Sequence, residues 1–246
     1  MARIAVISDI HGNLPALEAV LAELPPVDHV VVGGDVAAGP LPAETLDALA
    51  GLGARYVMGN ADRLMVAAFD AGADPDALED PIARLDAWCA RRITRGQRDA
   101  LAAYEPTVSL DGIRFCHGSP RSDEEIITAL SPEARLAPMF EGVEEGIVVC
   151  GHTHHQFDRA VLGKRLVNAG SVGMPYEDEA GAYWLLIEDG EPSLRRTGYD
   201  IAAAIDVLRA TGFPDIDELM LRESLLEPIG STAVAQHFEE RASRVV

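Results

Sequence analysis

The sequence predicts an α/β protein, and three observations carry that prediction. Short β-branched runs alternate with segments of helical apolar spacing over residues 3–60. Paired apolar runs joined by tight turns appear from residue 106 onward. Between them, residues 61–105 are Ala-rich and charged, with no strand pattern. The early part reads as parallel and the later part as antiparallel, making two sheets of one domain over 1–246.

In chain order, RIAVIS at 3–8 is a first buried strand. Asn13 caps a helix in which Leu14, Leu17, Val20, Leu21 and Leu24 recur at helical spacing, and Pro25 and Pro26 end it. HVVVGG at 29–34 is a second strand. Pro42 opens a helix carrying Leu46, Leu49 and Leu52, which Gly53 stops. RYVM at 55–58 is a third strand. Both crossovers are long enough for a helix, so these strands should be parallel with right-handed connections. Ligands of such sheets gather beyond the carboxyl ends of the strands.

Residues 61–105 read as a helical insertion of two or three helices, broken at 71–76 and near Gly96, and packed on the sheet rather than acting as a lid. TVSL-DG-IRFC is a hairpin on an Asp-Gly turn. A helical segment near 123–140 precedes the buried strand GIVVC at 146–150. FDRAVL-GK-RLVNAG and AYWLLIEDGEPSLRRT read as two more hairpins. A C-terminal helical extension over 199–246, anchored by Leu208, Leu219, Leu221, Leu225 and Leu226, either covers the core or pairs with a second copy as a homo-oligomer.

Composition narrows the function. The 246 residues carry 40 acids against 20 bases, a formal charge of −20. Such a surface repels polyphosphate backbones and argues against long nucleic acid as a partner. No apolar run approaches the ~20 residues a bilayer crossing needs, so no membrane partner is expected. The N-terminus lacks the apolar stretch of a signal peptide. Three cysteines, Cys89, Cys116 and Cys150, make no disulfide framework and suit a reducing compartment. The expected location is cytoplasmic.

The chemistry collects where strands end. Asp9 and His11 follow the first strand, Asp35 the second and Asn60 the third; His117 ends IRFC, and His152 and His154 follow GIVVC. Asp9 and His11 stand two apart, so extended backbone would point both the same way. Singly, each of these residues has a plainer reading as a cap or turn residue. Together they supply carboxylate and amide oxygens and four imidazoles, a donor mix that suits Mn, Fe, Co, Ni or Zn. Seven side chains exceed the needs of one ion, so a two-metal site is the economical reading, and such sites catalyse phosphoryl chemistry.

These blocks, DIH at 9–11, GDVAAG at 34–39, GNAD at 59–62, CHG at 116–118 and GHTH at 151–154, resemble the five ordered blocks of the calcineurin-like metallophosphoesterases. The likeness runs from residue 8 to about 173, includes NAGSVGMP at 168–175, and points to the small bacterial phosphodiesterase-type branch. The resemblance implies a four-layer α/β/β/α sandwich of two mixed β-sheets flanked by helices. It implies two divalent metal ions. Asp9, His11 and His154 would hold the first; Asn60, His117 and His152 would hold the second; Asp35 would bridge them. A metal-bridging hydroxide would then attack the phosphorus of a small phosphate ester.

One position departs from the pattern. Many members carry, after the Asn of the third block, a His that protonates the leaving oxygen; here it is Ala61. Losing a general acid costs roughly 10²–10⁴-fold, least where the leaving group is good or a cyclic ester is strained. Phosphodiesters, cyclic nucleotides among them, therefore rank first and phosphomonoesters of metabolites or phosphoproteins second. A third reading is a protein-interaction scaffold of the same fold, against which every ligand position is retained. Asp62 and His155 remain as groups to pass a proton through water, although His155 reads first as a solvated loop residue. Arg63 and Arg121 are candidates to clamp phosphate, with surface salt bridges the plainer alternative. Asn13 is a helix cap first and a substrate contact second.

Overall fold

The computed structural model describes residues 2–244. β1 (Ile4–Ile7), α1 (Leu14–Glu23), β2 (His29–Val32), α2 (Pro42–Ala50) and β3 (Arg55–Tyr56) alternate along the chain. The three strands are parallel, with Ile4 opposite His29 and Val31 opposite Arg55. The helical stretch consists of α3 (Asn60–Ala71), a 3₁₀ turn at Pro75–Ala77, α4 (Pro81–Ala90) and α5 (Arg95–Ala102). The second break falls before Gly96 because Thr94 caps α5, its Oγ1 accepting from the Gln97 N–H at 3.2 Å.

All three hairpins form: β4 (Thr107–Leu110) with β5 (Ile113–Cys116), β7 (Phe157–Val161) with β8 (Lys164–Asn168), and β9 (Ala182–Glu188) with β10 (Glu191–Thr197). Their turns are Asp111-Gly112, Leu162-Gly163 and Asp189-Gly190, every residue of which has positive φ. The middle turn therefore sits one residue earlier than the Gly163-Lys164 reading. The segment near 123–140 is helical only at α6 (Glu133–Leu136) and the 3₁₀ turn Ala137–Met139. Ahead of it, Ser122 Oγ accepts from Glu124 N–H and Ser131 Oγ from Thr128 N–H, which diverts the backbone from helix.

The split into a parallel early half and an antiparallel later half is corrected by the topology. The first sheet is ordered β10-β9-β1-β2-β3, so the last hairpin returns to lie antiparallel to β1. The second is ordered β4-β5-β6-β8-β7, with β6 spanning Ile147–Cys150, and β5, β6 and β8 are parallel. Both sheets are mixed.

Strand periodicity builds the layers. Ile4 and Val6 of β1, Leu185 and Ile187 of β9, Ile113 and Phe115 of β5, and Val149 and Val167 pack in one cluster between the sheets. Their alternates Ala5, Ile7, Trp184 and Leu186 face a second cluster with Leu17, Leu46, Leu49 and Cys89 of the helices. Val148, Cys150 and Leu166 face a third with Ile127, Leu136 and Phe140. The result is the four-layer α/β/β/α sandwich, its last layer mostly irregular chain.

The extension comprises α7 (Ile201–Ala210), a π-helical segment (Asp217–Leu226) and α8 (Ser231–Ala242). It covers its own chain: Leu208, Phe213, Met220 and Leu221 join the core outside the first sheet. Glu239 of α8 pins it, accepting from Thr128 Oγ1 at 2.7 Å and Ser131 Oγ at 2.6 Å and pairing with Arg135. No helix among the described residues is long and apolar enough to cross a membrane.

Candidate metal centre

Five of the seven strand-end residues stand on left-handed backbone: Asp9, His11, Asp35, His152 and His154 have φ between 47° and 66°. Extended backbone therefore does not aim Asp9 and His11; a tight loop does. For a non-glycine residue this conformation costs of order 1 kcal/mol or more and persists only where the surroundings impose it. Here neighbouring loops do so. Asp9 N–H donates to Gly34 O at 2.9 Å, His11 N–H to Asp35 O at 3.0 Å, and Gly173 N–H to Asp9 O at 3.0 Å. The approach is closest where glycine is required: a Cβ at Gly39 would lie 1.8 Å from His11 O, and one at Gly59 would lie 2.1 Å from Asp35 Oδ1.

These loops bring the side chains together in two groups that share Asp35. Donor atoms of Asp9, His11, Asp35 and His154 lie within 4.8 Å of one another, as do those of Asp35, His117 and His152. Asn60 joins the second group, its Oδ1 3.2 Å from His117 Nε2. His154 Nε2 lies 3.1 Å from Asp9 Oδ1, and His117 Nε2 3.2 Å from Asp35 Oδ2.

The donor set fits divalent cations. His11 Nδ1 meets Ala38 O, His117 Nδ1 meets Gly33 O and His154 Nδ1 meets Met174 O at 3.1, 2.9 and 2.8 Å. A carbonyl only accepts, so each Nδ1 carries its proton and each Nε2 turns toward the cluster, as metal-ligating imidazoles do. Between His11 and His154 the two Nε2 atoms stand 3.1 Å apart. A cation beside both, or a proton shared between them, would relieve the repulsion of two lone pairs at that separation.

The electrostatics agree. Burial opposes ionisation of Asp9 and Asp35, but the neighbouring histidines outweigh it and hold both carboxyls below the usual range. Burial likewise opposes a charge on His117, yet Asp35 and Asp9 raise it to about 10. Burial and His117 push His152 down to about 4.

The sequence profile of the calcineurin-like phosphoesterase superfamily domain matches residues 2–190. The chain belongs to that superfamily. It is similar to the solved metallophosphoesterase from Sphaerobacter thermophilus, with 26% identity and a TM-score of 0.74 over 87% of this chain and 95% of that one. A hypothetical protein from Pyrococcus horikoshii OT3 shares the fold at 21% identity and a TM-score of 0.72, over the same shares. A comparison with curated proteins gives no match.

Beyond the seven donors, this calcineurin-like site differs from the sequence expectations. Asp62 is fully buried, its Oδ2 accepting from Asp35 N–H at 2.8 Å and Gly59 N–H at 3.2 Å and its Oδ1 from Val36 N–H at 2.9 Å. It ties the Asp35 loop to the start of α3, although burial and the charge of Asp35 push its carboxyl up to about 7. His155 is not a solvated loop residue: it is buried, with Nδ1 on Thr153 O at 3.0 Å, and it does not line the cavity. Asn13 is fully buried, capping α1 through Ala16 N–H and donating to Gly173 O, so it does not face substrate. Arg63 pairs with Asp123 and Glu124, and Arg121 with Glu125; both line a separate groove.

A cavity of about 400 Å³ opens in front of the cluster. His11, Asp35, Asn60, Ala61, His152 and His154 make its inner wall. Its outer wall comes from Leu85 and Asp86 of α4, Tyr176, Met220 of the π-helical segment, and Phe238 and Arg241 of α8. Sequence reasoning missed that wall. It also missed two supports: Ser171 Oγ donates to Asp9 O at 2.6 Å, and Asn168 Nδ2 donates to Gly151 O at 2.7 Å. The NAGS string at 168–171 was the available signal.

Proposed function

We propose that this phosphoesterase hydrolyses small phosphodiesters, cyclic nucleotides among them, at a dinuclear metal centre. Asp9, His11 and His154 would hold one cation and Asn60, His117 and His152 the other, with Asp35 serving both. Divalent cations held there would supply Lewis acidity to a water and to the phosphoryl oxygens. The chain's own residues do the rest. Asp62 holds the Asp35 loop and Asn60 in register. Arg241, whose guanidinium has no partner among the described residues, lines the cavity and would meet the charge of an anionic ester there. Tyr176, Met220 and Phe238 offer apolar surface to the organic part of the ester.

The observation that carries the diester reading is Ala61. It lines the cavity beside Asn60 and offers only a methyl, so position 61 itself gives no proton to a leaving group. Turnover of bis(p-nitrophenyl) phosphate against p-nitrophenyl phosphate, with added Mn²⁺, tests it. The diester should be preferred, and Ala61→His should shift the ratio toward the monoester. A monoester preference in the unaltered protein would favour a phosphomonoesterase. Turnover of neither by metal-loaded protein would favour the scaffold.

A further inference from the structure

We propose that Asp86 is the general acid of this enzyme, donating its proton to the leaving oxygen from the wall of the cavity that faces the metal cluster. The proposal rests on the phosphoesterase reading of the site. It starts from a gap: position 61 supplies no imidazole, and the groups nearest to hand are committed. Asp62 accepts three main-chain hydrogen bonds, and His155 lies outside the cavity. The Nδ1 atoms of His11 and His154 donate to loop carbonyls, leaving Nε2 for the cluster.

Asp86 is the one carboxyl lining the cavity that belongs to no ligand group among the described residues. It sits in the middle of α4, in the helical stretch that follows Asn60 and Ala61 in the chain. The residue is only 8% exposed, and its carboxyl oxygens reach the cavity with neither hydrogen bond nor ion pair among the described residues. A buried, unpartnered carboxyl is disfavoured as an anion and has no evident structural use.

The groups around it favour the acid form. Burial, then the negative charges of Asp35 and Asp80, push Asp86 up to about 7 in the metal-free chain; cations held at Asp35 would cancel its share and leave burial as the main cause. Asp80 caps α4, Cys89 lies one turn on, and Tyr176 and Arg241 share the cavity. Cys89 is itself pushed up to about 12 by burial and therefore stays neutral. In the step, a water oxygen bonds to phosphorus as the bond from phosphorus to the leaving oxygen breaks. The leaving oxygen takes the Asp86 proton and departs as an alcohol. The proton shed by the water goes to solvent, and Asp86 regains one from solvent.

The test is leaving-group dependence. Methyl p-nitrophenyl phosphate expels an oxygen that needs no proton; methyl phenyl phosphate expels one that does. Asp86→Asn should lose about 10²–10⁴-fold in kcat on the phenyl ester and under about tenfold on the nitrophenyl ester. Asp86→Glu should recover part of the phenyl-ester rate. A second readout needs no turnover: the infrared carbonyl band of a protonated carboxylic acid, present at pH 6, should lose intensity in Asp86→Asn. Equal losses on both esters, no loss on either, or an unchanged infrared band would overturn the assignment. In the unaltered protein, a rate that falls steeply from the nitrophenyl to the phenyl ester would overturn it as well, even if the variants failed to fold. If the unaltered, metal-loaded protein hydrolysed neither ester, the phosphoesterase reading would fall, and this proposal with it.

Discussion

On the inner wall of the cavity, five donor residues stand on left-handed backbone, and main-chain hydrogen bonds such as Asp9 N–H to Gly34 O and Gly173 N–H to Asp9 O tie loop to loop. On the outer wall, α4, the π-helical segment and α8 present Leu85, Met220, Phe238 and Arg241, held by apolar packing and by the Glu239 cluster at one end of α8. The inner wall fixes donor atoms at separations near 3 Å and stores strain to do so. The outer wall fixes only a surface. Holding cations requires the first kind of construction, whereas selection among esters and delivery of a proton from Asp86 require only the second. The π-helical segment, closed by a Glu227 N–H to Arg222 O bond at 2.7 Å, belongs to a class that is rare and concentrated at functional sites.

The largest expected effect breaks the inner wall. Asp35 belongs to both donor groups, and its Oδ1 also accepts from Ala61 N–H at 2.9 Å. Asp35→Asn removes the charge that both cations would share. Turnover should fall by about 10³-fold or more, beyond the loss of a single electrostatic contact, and metal content per chain should drop. Unchanged turnover with unchanged metal content would show that Asp35 does not bridge.

The outer wall should respond differently. Arg241→Ala removes a single charge-assisted contact to phosphate and leaves the donor cluster in place. KM should rise about tenfold, the equivalent of ~1.4 kcal/mol, with kcat nearly unchanged. A fall in kcat at constant KM would place Arg241 with the reacting atoms rather than with ester binding.

The two walls also differed in how far the sequence disclosed them. Most of the donor residues follow a short apolar strand, and the runs IAVI and IVVC of β1 and β6 are a local signal that fixes where the strand ends. The sandwich and the donor cluster were legible for that reason. What local pattern could not convey was conformation at the strand ends, where Asp9 and His11 take left-handed rather than extended backbone. Nor could it show that β9 returns to β1 across most of the chain, since register between distant strands is set by packing. The outer wall was illegible for a related reason. Asp86 and Arg241 lie on helices whose placement depends on which apolar face meets which neighbour, and no local pattern marks either residue out.

The smallest effect comes from a carboxylate remote from both walls. Glu145 lies just before β6, its Oε1 accepting from Ser109 Oγ at 2.7 Å and Arg114 Nε at 3.0 Å. Burial opposes its charge, but those donors and its own backbone N–H outweigh burial and hold the carboxyl at about 2, below its ordinary 4.5. A depressed carboxyl binds fewer protons folded than unfolded between those values, so stability rises with pH across that window. The contribution is complete above 4.5 and disappears as pH falls toward 2. Glu145→Gln should therefore lower Tm at pH 6 by about 2–4 °C, the shift that ~1 kcal/mol gives in a chain of this size. At pH 3 the gap between variant and unaltered protein should narrow, while phosphoesterase activity at pH 7 stays the same. A Tm gap that did not narrow would mean that packing, not charge, is what Glu145 contributes. A loss of activity at pH 7 would mean that charge beside the second sheet reaches the donor cluster.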